Sequence, residues 1–310
     1  MSHRFRSVMV VVSAAVFAAV FGVAVRPTTG QAPPTFKAPR TPDGQPNLSG
    51  IWQAVNTANY NIQSHAAGVA IATRPGRVEG TVVPAAPVLA LGAAGGVPAG
   101  IGVVEGEEIP YQPWAAAKQK ENAKNWLTRD PEVRCYQPGV PRATYMPYPF
   151  QILQSKDKVT ITYEYASARR TVHIGGKETS PAESWMGWSN GRWEGDTLVV
   201  DVTGLNDQTW FDRAGNFHSE ELHVVERYTP LSPAHLMYEA TIEDPKVFTK
   251  PWKIRMPLYR RMEPNAQVLE YKCPQFVEEL MFGKLRKEPL PIVADFEKWY
   301  SEFKGYPQNP

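Results

Sequence analysis

The sequence predicts a mainly β protein, an antiparallel meander that closes into a barrel, and three observations carry that prediction. From Phe150 onward, apolar and polar residues alternate with a period of two. Short turn-rich segments separate the alternating runs, among them Ser155-Lys156-Asp157, Asn190-Gly191, Glu194-Gly195-Asp196 and Ser232-Pro233-Ala234. Each run also has one apolar face. Val159, Ile161, Tyr163 and Tyr165 oppose Thr160, Thr162 and Glu164, and Trp252, Ile254, Met256 and Leu258 oppose Lys253 and Arg255. That is the alternation of a sheet with one buried side, and closing such a meander removes its exposed edges.

The elements follow in chain order. Arg4 and Arg6 precede an uncharged apolar run from Val8 to Val25, and the chain then becomes small, polar and Pro-rich. Residues 1–32 therefore read as a cleaved export signal, cut after Ala24 or Ala32, and the alternative is an uncleaved membrane anchor. Residues 33–112 hold a strand at Leu48–Trp52 and an Ala/Gly/Pro-rich arm over 64–108. Long structureless loops are uncommon in compact domains, so this arm is either functional or packs on a neighbouring copy. Residues 113–310 form one domain with the Leu48–Trp52 strand. Pro113–Leu127 is helix-forming and begins with a proline suited to the first turn. The Pro-rich stretch 129–150 is expected to run extended or in turns. Strands follow at Phe150–Gln154, Val159–Tyr165, Arg169–Ile174, Thr197–Val202, His218–Tyr228, Leu236–Ile242, Trp252–Leu258 and Val268–Tyr271. Phe276–Lys287 and Asp295–Lys304 read as C-terminal helices.

Charge and cysteine content set further bounds. The 310-residue chain carries a formal charge of +2, and residues 1–32 contribute three arginines and no acids, so the mature chain stands at −1. Such a balance, without a Lys/Arg stripe, gives no electrostatic case for nucleic acid or an anionic membrane. Beyond the export signal, no segment is apolar enough to span a bilayer. Cys135 and Cys273 are the two cysteines. In an exported protein a lone pair reads as one disulfide, the alternative being two buried thiols. Their spacing fits no cysteine metal site.

Against the regular alternation, a few ionisable residues fall on apolar faces. Arg170 shares parity with Ala168, Val172 and Ile174, while His218, Glu220 and Glu226 share parity with Leu222, Val224 and Tyr228. An isolated charge inside a barrel is costly, so a partner is expected. One reading is a buried Arg170–Glu226 ion pair with His218 and Glu220 at the rim. The other is a polar ligand or reaction site, in which His218 is a general base partnered by Glu220 or Asp212. His218, Glu220 and Asp212 are too few for a convincing metal site, and no metal or other cofactor is expected. In the loop Gly204–Phe217, Trp210 and Asp212 suit a substrate-gripping role, whereas Asp207 suits a capped turn. Trp185, Trp188 and Trp193 read as core and rim packing. No nucleophile elbow, phosphate-binding glycine loop, zinc-protease helix or Cys-x-x-Cys motif is present.

Two short motifs resemble lipocalin-like barrels. Leu48-Ser-Gly-Ile-Trp52 resembles the Gly-x-Trp opening of a lipocalin's first strand, and Gly191-Arg-Trp-Glu-Gly-Asp-Thr-Leu-Val-Val200 resembles hairpins of small lipocalin-like domains. The run from about Ile109 to Lys287 resembles a large uncharacterised family of exported proteins from environmental bacteria. That resemblance implies export, and implies that both cysteines and His218-Ser219-Glu220 belong to the family pattern. It implies no particular activity. The lipocalin comparison implies a cupped interior that binds small molecules. A lining of Tyr163, Arg170, His218, Glu220 and Glu226, with Trp210 nearby, mixes aromatic and ionisable groups and suits a small amphipathic or acidic organic molecule. The competing expectations are an acid/base lyase, isomerase or hydrolase acting on a carbohydrate or aromatic compound, and an envelope scaffold that self-associates through residues 64–108. A periplasmic or extracellular location goes with all three.

Overall fold

The computed structural model describes residues 36–69, 73–75, 82–84, 96–271 and 273. The export signal, its anchor alternative and the C-terminal helices lie outside these residues. Nine strands close a barrel: β1 (Gly50–Ala54), β2 (Phe150–Gln154), β3 (Lys158–Tyr163), β4 (Arg169–Ile174), β5 (Trp188–Glu194), β6 (Thr197–Thr203), β7 (His223–Ser232), β8 (His235–Glu243) and β9 (Trp252–Arg260). Sequential neighbours pair, and β1 closes the ring by pairing with both β2 and β9. A ring with an odd number of strands cannot alternate direction throughout. The exception is β4–β5, which is parallel over three residue pairs, Val172–Ser189 to Ile174–Gly191. Gly191 permits that close seam, because a Cβ there would lie 2.5 Å from Val172 Cγ1. The Asn190-Gly191 pair reads as a turn in the sequence but lies within β5, which no predicted strand covered.

The predicted parity holds on the walls. Val159, Ile161 and Tyr163 are buried, as are Leu198, Val200, Val202 and the set Trp252, Ile254, Met256 and Leu258. Two strand expectations need correction. The His218–Tyr228 strand begins only at His223, because Asp244 accepts hydrogen bonds from Ser219 N (2.6 Å) and Ser219 Oγ (2.9 Å), and Ser219 Oγ in turn accepts from Glu221 N. These bonds bend the backbone before the sheet starts. Val268–Tyr271 is not a strand. It runs along the outside, with Leu269 N on the Glu164 carboxylate and the Tyr271 ring tilted against Tyr148 and Tyr165. It leads to the disulfide between Cys135 and Cys273, which joins residues 138 positions apart.

The two barrel ends differ. Tight turns at 155–157, 195–196 and 233–234 close one end, where Arg40 of the N-terminal arm pairs with Asp196 at 2.6 Å. There Trp52 donates from Nε1 to Leu48 O at 2.9 Å, and the Arg260 guanidinium lies 4.4 Å from its ring centroid. Arg260 also donates to Ser49 O, and Gly50 makes room for it, since a Cβ would fall 2.2 Å from Arg260 Nη1. The described parts of the long connections 55–149, 204–222 and 244–251 converge on the opposite end. They include α1 (Pro113–Lys124), α2 (Trp126–Arg129) and α3 (Arg142–Tyr145). The Pro-rich stretch is thus not wholly extended. α3 fits between Pro141 and Pro147, starting after one proline and ending before the next, where neither ring opposes helix. All four α3 residues are buried, so this turn plugs the barrel. In the 64–108 arm, the described residues form short ribbons, Gly68–Val69 with Gly96–Val97 and Thr73–Pro75 with Val82–Pro84.

Candidate functional site

The barrel interior holds a closed charge centre. Arg170 and Glu226 are joined at 2.5 Å (Nη1 to Oε2) and 2.9 Å (Nη2 to Oε1). Arg170 also donates to Tyr163 Oη, Ser189 Oγ and Tyr228 Oη, so all five of its N–H groups are engaged. Tyr228 and Tyr238 donate to Glu226 Oε1 at 3.0 and 2.8 Å. Burial opposes the arginine's charge, but Glu226 overcomes it and holds the Arg170 pKa well above its ordinary value. Burial raises all three tyrosines. Tyr163, Arg170 and Glu226 thus lie inside the barrel, on the face their parity implies, and there they satisfy one another.

The remaining predicted residues separate. His218 is buried, its Nδ1 is 2.8 Å from Ser219 O and its Nε2 is 2.6 Å from Thr209 Oγ1. A carbonyl can only accept, so Nδ1 carries the proton and Nε2 accepts the Thr209 hydroxyl. Burial lowers the His218 pKa. Glu220 lies on the exposed turn that precedes β7 and pairs with Lys246. The expectation that His218 and Glu220 share a strand face is thus overturned by the Ser219 turn. Asp212 is fully buried elsewhere and accepts from Ile62 N (2.9 Å), Asn216 N (3.2 Å) and Asn216 Nδ2 (2.6 Å). Burial pushes its pKa up to about 7 against those donors. Trp210 packs into the core and bridges Phe217, while Asp207 is exposed beside the Asn206 turn. Trp185 packs on Tyr136, and Trp188 stacks on His173.

Sequence reasoning missed a second charge centre in the plug. Arg142 makes two bonds to Asp130 (2.8 and 3.0 Å), one to Glu132 (2.8 Å) and one to Asn59 Oδ1 (2.8 Å). Arg213 adds two more bonds to Glu132. Burial would raise Glu132, yet Arg213 and Arg142 hold it down at about 2. These residues come from connections and single helical turns, too short for any periodicity to assign a face.

It also missed a groove in the barrel wall. β9 pairs with β1 only through Leu258–Arg260, and farther along Glu105 N and Arg255 N bond to Lys253 O and Val103 O. Arg261 N bonds to Ile51 O, so odd-numbered residues face this edge, and Pro257 falls between the two pairings with no N–H to leave unpaired. The resulting cavity is about 600 Å³ and opens to solvent. Val55, Pro98, Ile101, Met256 and Pro257 supply its apolar lining, and Asn56, Asn61 and Arg255 its polar groups. Ile101 is 93% exposed and Val55 70%. Asn56 Nδ2 reaches only Met256 Sδ, and Asn61 Nδ2 makes no hydrogen bond among the described residues. A weakly coded signal existed in the Gly100-Ile101-Gly102 run. A Cβ on Gly102 would strike Ser64 N at 2.6 Å, so glycine lets the two chain segments lie close.

No group of three or more metal-ligating side chains occurs among the described residues. No protein-family model, curated protein or solved structure matches this chain.

Proposed function

We propose that this is an exported protein that binds a small amphipathic organic acid, in the wall groove rather than in the lumen. The observation that carries the reading is an apolar groove bearing amide donors with no strong partner, Asn56 Nδ2 and Asn61 Nδ2, with Arg255, which pairs with Glu239 at 3.5 Å, also in its lining. An apolar body would cover Ile101, Val55 and Met256, and a carboxylate would take the donors. The lumen is the less suitable place, because Arg170 and Glu226 already complete each other's bonding. Trp52 in the first strand, together with the closed barrel, supports the lipocalin likeness, from which the α3 plug and the ninth strand depart. The disulfide supports an oxidising compartment. Among the described residues no helix is long and apolar enough to cross a membrane.

Displacement of 1-anilinonaphthalene-8-sulfonate by dodecanoate tests the reading. The native protein should bind dodecanoate saturably with one site, and Ile101→Glu should weaken it at least about tenfold by placing a like charge in the groove. Unchanged affinity in Ile101→Glu, or no binding at all, would refute it.

A further inference from the structure

We propose that Thr57 and His65 form a hydroxyl–imidazole pair that hydrolyses esters of the acids this groove takes, an inference that rests on the binding reading above. His65 Nδ1 lies 3.1 Å from Ala66 O, and Nε2 lies 2.9 Å from Thr57 Oγ1. The carbonyl fixes the proton on Nδ1, which leaves the Nε2 lone pair to accept the threonine hydroxyl. That is the arrangement a base needs in order to activate a nucleophile, with a third group orienting the ring.

Three further observations point the same way. His65 and Gly100 exchange two backbone hydrogen bonds of 2.9 and 3.0 Å, which clasp the imidazole to the groove wall. A Cβ on Gly100 would lie 2.2 Å from Thr57 Oγ1 and 2.7 Å from His65 Nε2, so glycine alone lets the main chain touch the pair. Thr57 and Gly100 to Gly102 all line the groove, and the N–H groups of Ile101 and Gly102 donate to no described residue. They directly follow Gly100, the residue that touches the pair, and are the donors we assign to the oxyanion. The same Thr–His–carbonyl trio recurs at Thr209, His218 and Ser219, but there both side chains are sealed in the core. Thr57 and His65 are half-buried and reach solvent.

In the reaction, Thr57 Oγ bonds to the ester carbonyl carbon as its proton passes to His65 Nε2. Collapse breaks the bond to the alcohol, which leaves with that proton. Water, deprotonated by His65, then attacks the acyl-threonine and releases the carboxylic acid, restoring both side chains. The net change is ester plus water to acid plus alcohol.

Steady-state hydrolysis of p-nitrophenyl hexanoate by the full chain tests this. Thr57→Ala and His65→Gln should each lower kcat/KM by at least about 100-fold, the scale of general-base assistance, while Thr57→Ser retains activity. Peptide mass spectrometry should find the hexanoyl adduct on Thr57 in the native protein. Native hydrolysis no faster than buffer, or equal rates in Thr57→Ala, would overturn the proposal. Dodecanoate displacement run on the same variants separates the two claims: binding without turnover removes the esterase reading alone, and Thr57-dependent turnover without dodecanoate binding removes the acid-binding reading alone.

Discussion

Arg170 and Arg142 are both buried, both paired with carboxylates, and both close to the plugged end of the barrel, yet they are built differently. Arg170 has one carboxylate partner, supplemented by two tyrosines and a serine from neighbouring strands, while a third tyrosine, Tyr238, bonds the carboxylate itself. Its partners are fixed by the sheet register. Arg142 has two carboxylates and an asparagine drawn from segments 59 and 130–132, with Arg213 and Asp212 close by. Its partners are connections that have no other reason to meet. The lumen centre thus follows from the barrel, whereas the plug centre helps make the plug. Removing one partner of a buried pair leaves an uncompensated charge, which costs more than the pair itself contributes.

The sharpest way to break this contrast is Arg142→Met. It orphans Asp130 and half-releases Glu132, and we expect a loss of about 5 kcal/mol in urea unfolding with the plug opening first in hydrogen exchange. Loss of protection spread evenly over the barrel would contradict a stitching role. Glu226→Gln should cost about 3–5 kcal/mol, but the double change Arg170→Met/Glu226→Met should recover most of that, since apolar replacement of a buried pair is often neutral. A double variant as weak as the single would mean that the tyrosines depend on the charges. The third test uses pH. Asp212, raised by burial to about 7, contributes stability that is full below about pH 4 and lost as pH rises through 7. Glu132, depressed to about 2, contributes stability that is present above about pH 4.5 and lost as pH falls through 2. Melting temperature should therefore decline between pH 4 and 7, and Asp212→Asn should flatten that decline while leaving the acid limb.

How much of this was legible follows from periodicity. Strand parity put Arg170, Glu226 and Tyr163 inside because a two-residue repeat assigns every side chain to a face. The same reasoning misplaced Glu220 and put the buried His218 on a strand that begins only at His223, since Ser219 bends the chain by bonding to Asp244, a residue on another loop. Asn190-Gly191 looked like a turn, because glycine's other use, admitting a neighbouring strand, leaves no distinct mark in one sequence. Arg142 heads the single helical turn α3, and Asn59 and Asp130 lie in irregular chain, so nothing local announced their meeting. The wall groove was hidden for the same reason, since it is made by the gap between two partners of one strand.

Pro257 has a consequence for how this architecture tolerates change. A strand that passes from one neighbour to another would ordinarily strand an amide at the junction, and insertions nearby would worsen that cost. Here the junction residue has no amide hydrogen, and His65 and Gly100 bond each other at the base of the arm, so the arm between those two residues can lengthen, shorten or be regrafted without upsetting the ring of nine strands. The mouth of the groove is therefore a place where new recognition can be engineered while the scaffold beneath it goes on folding as before.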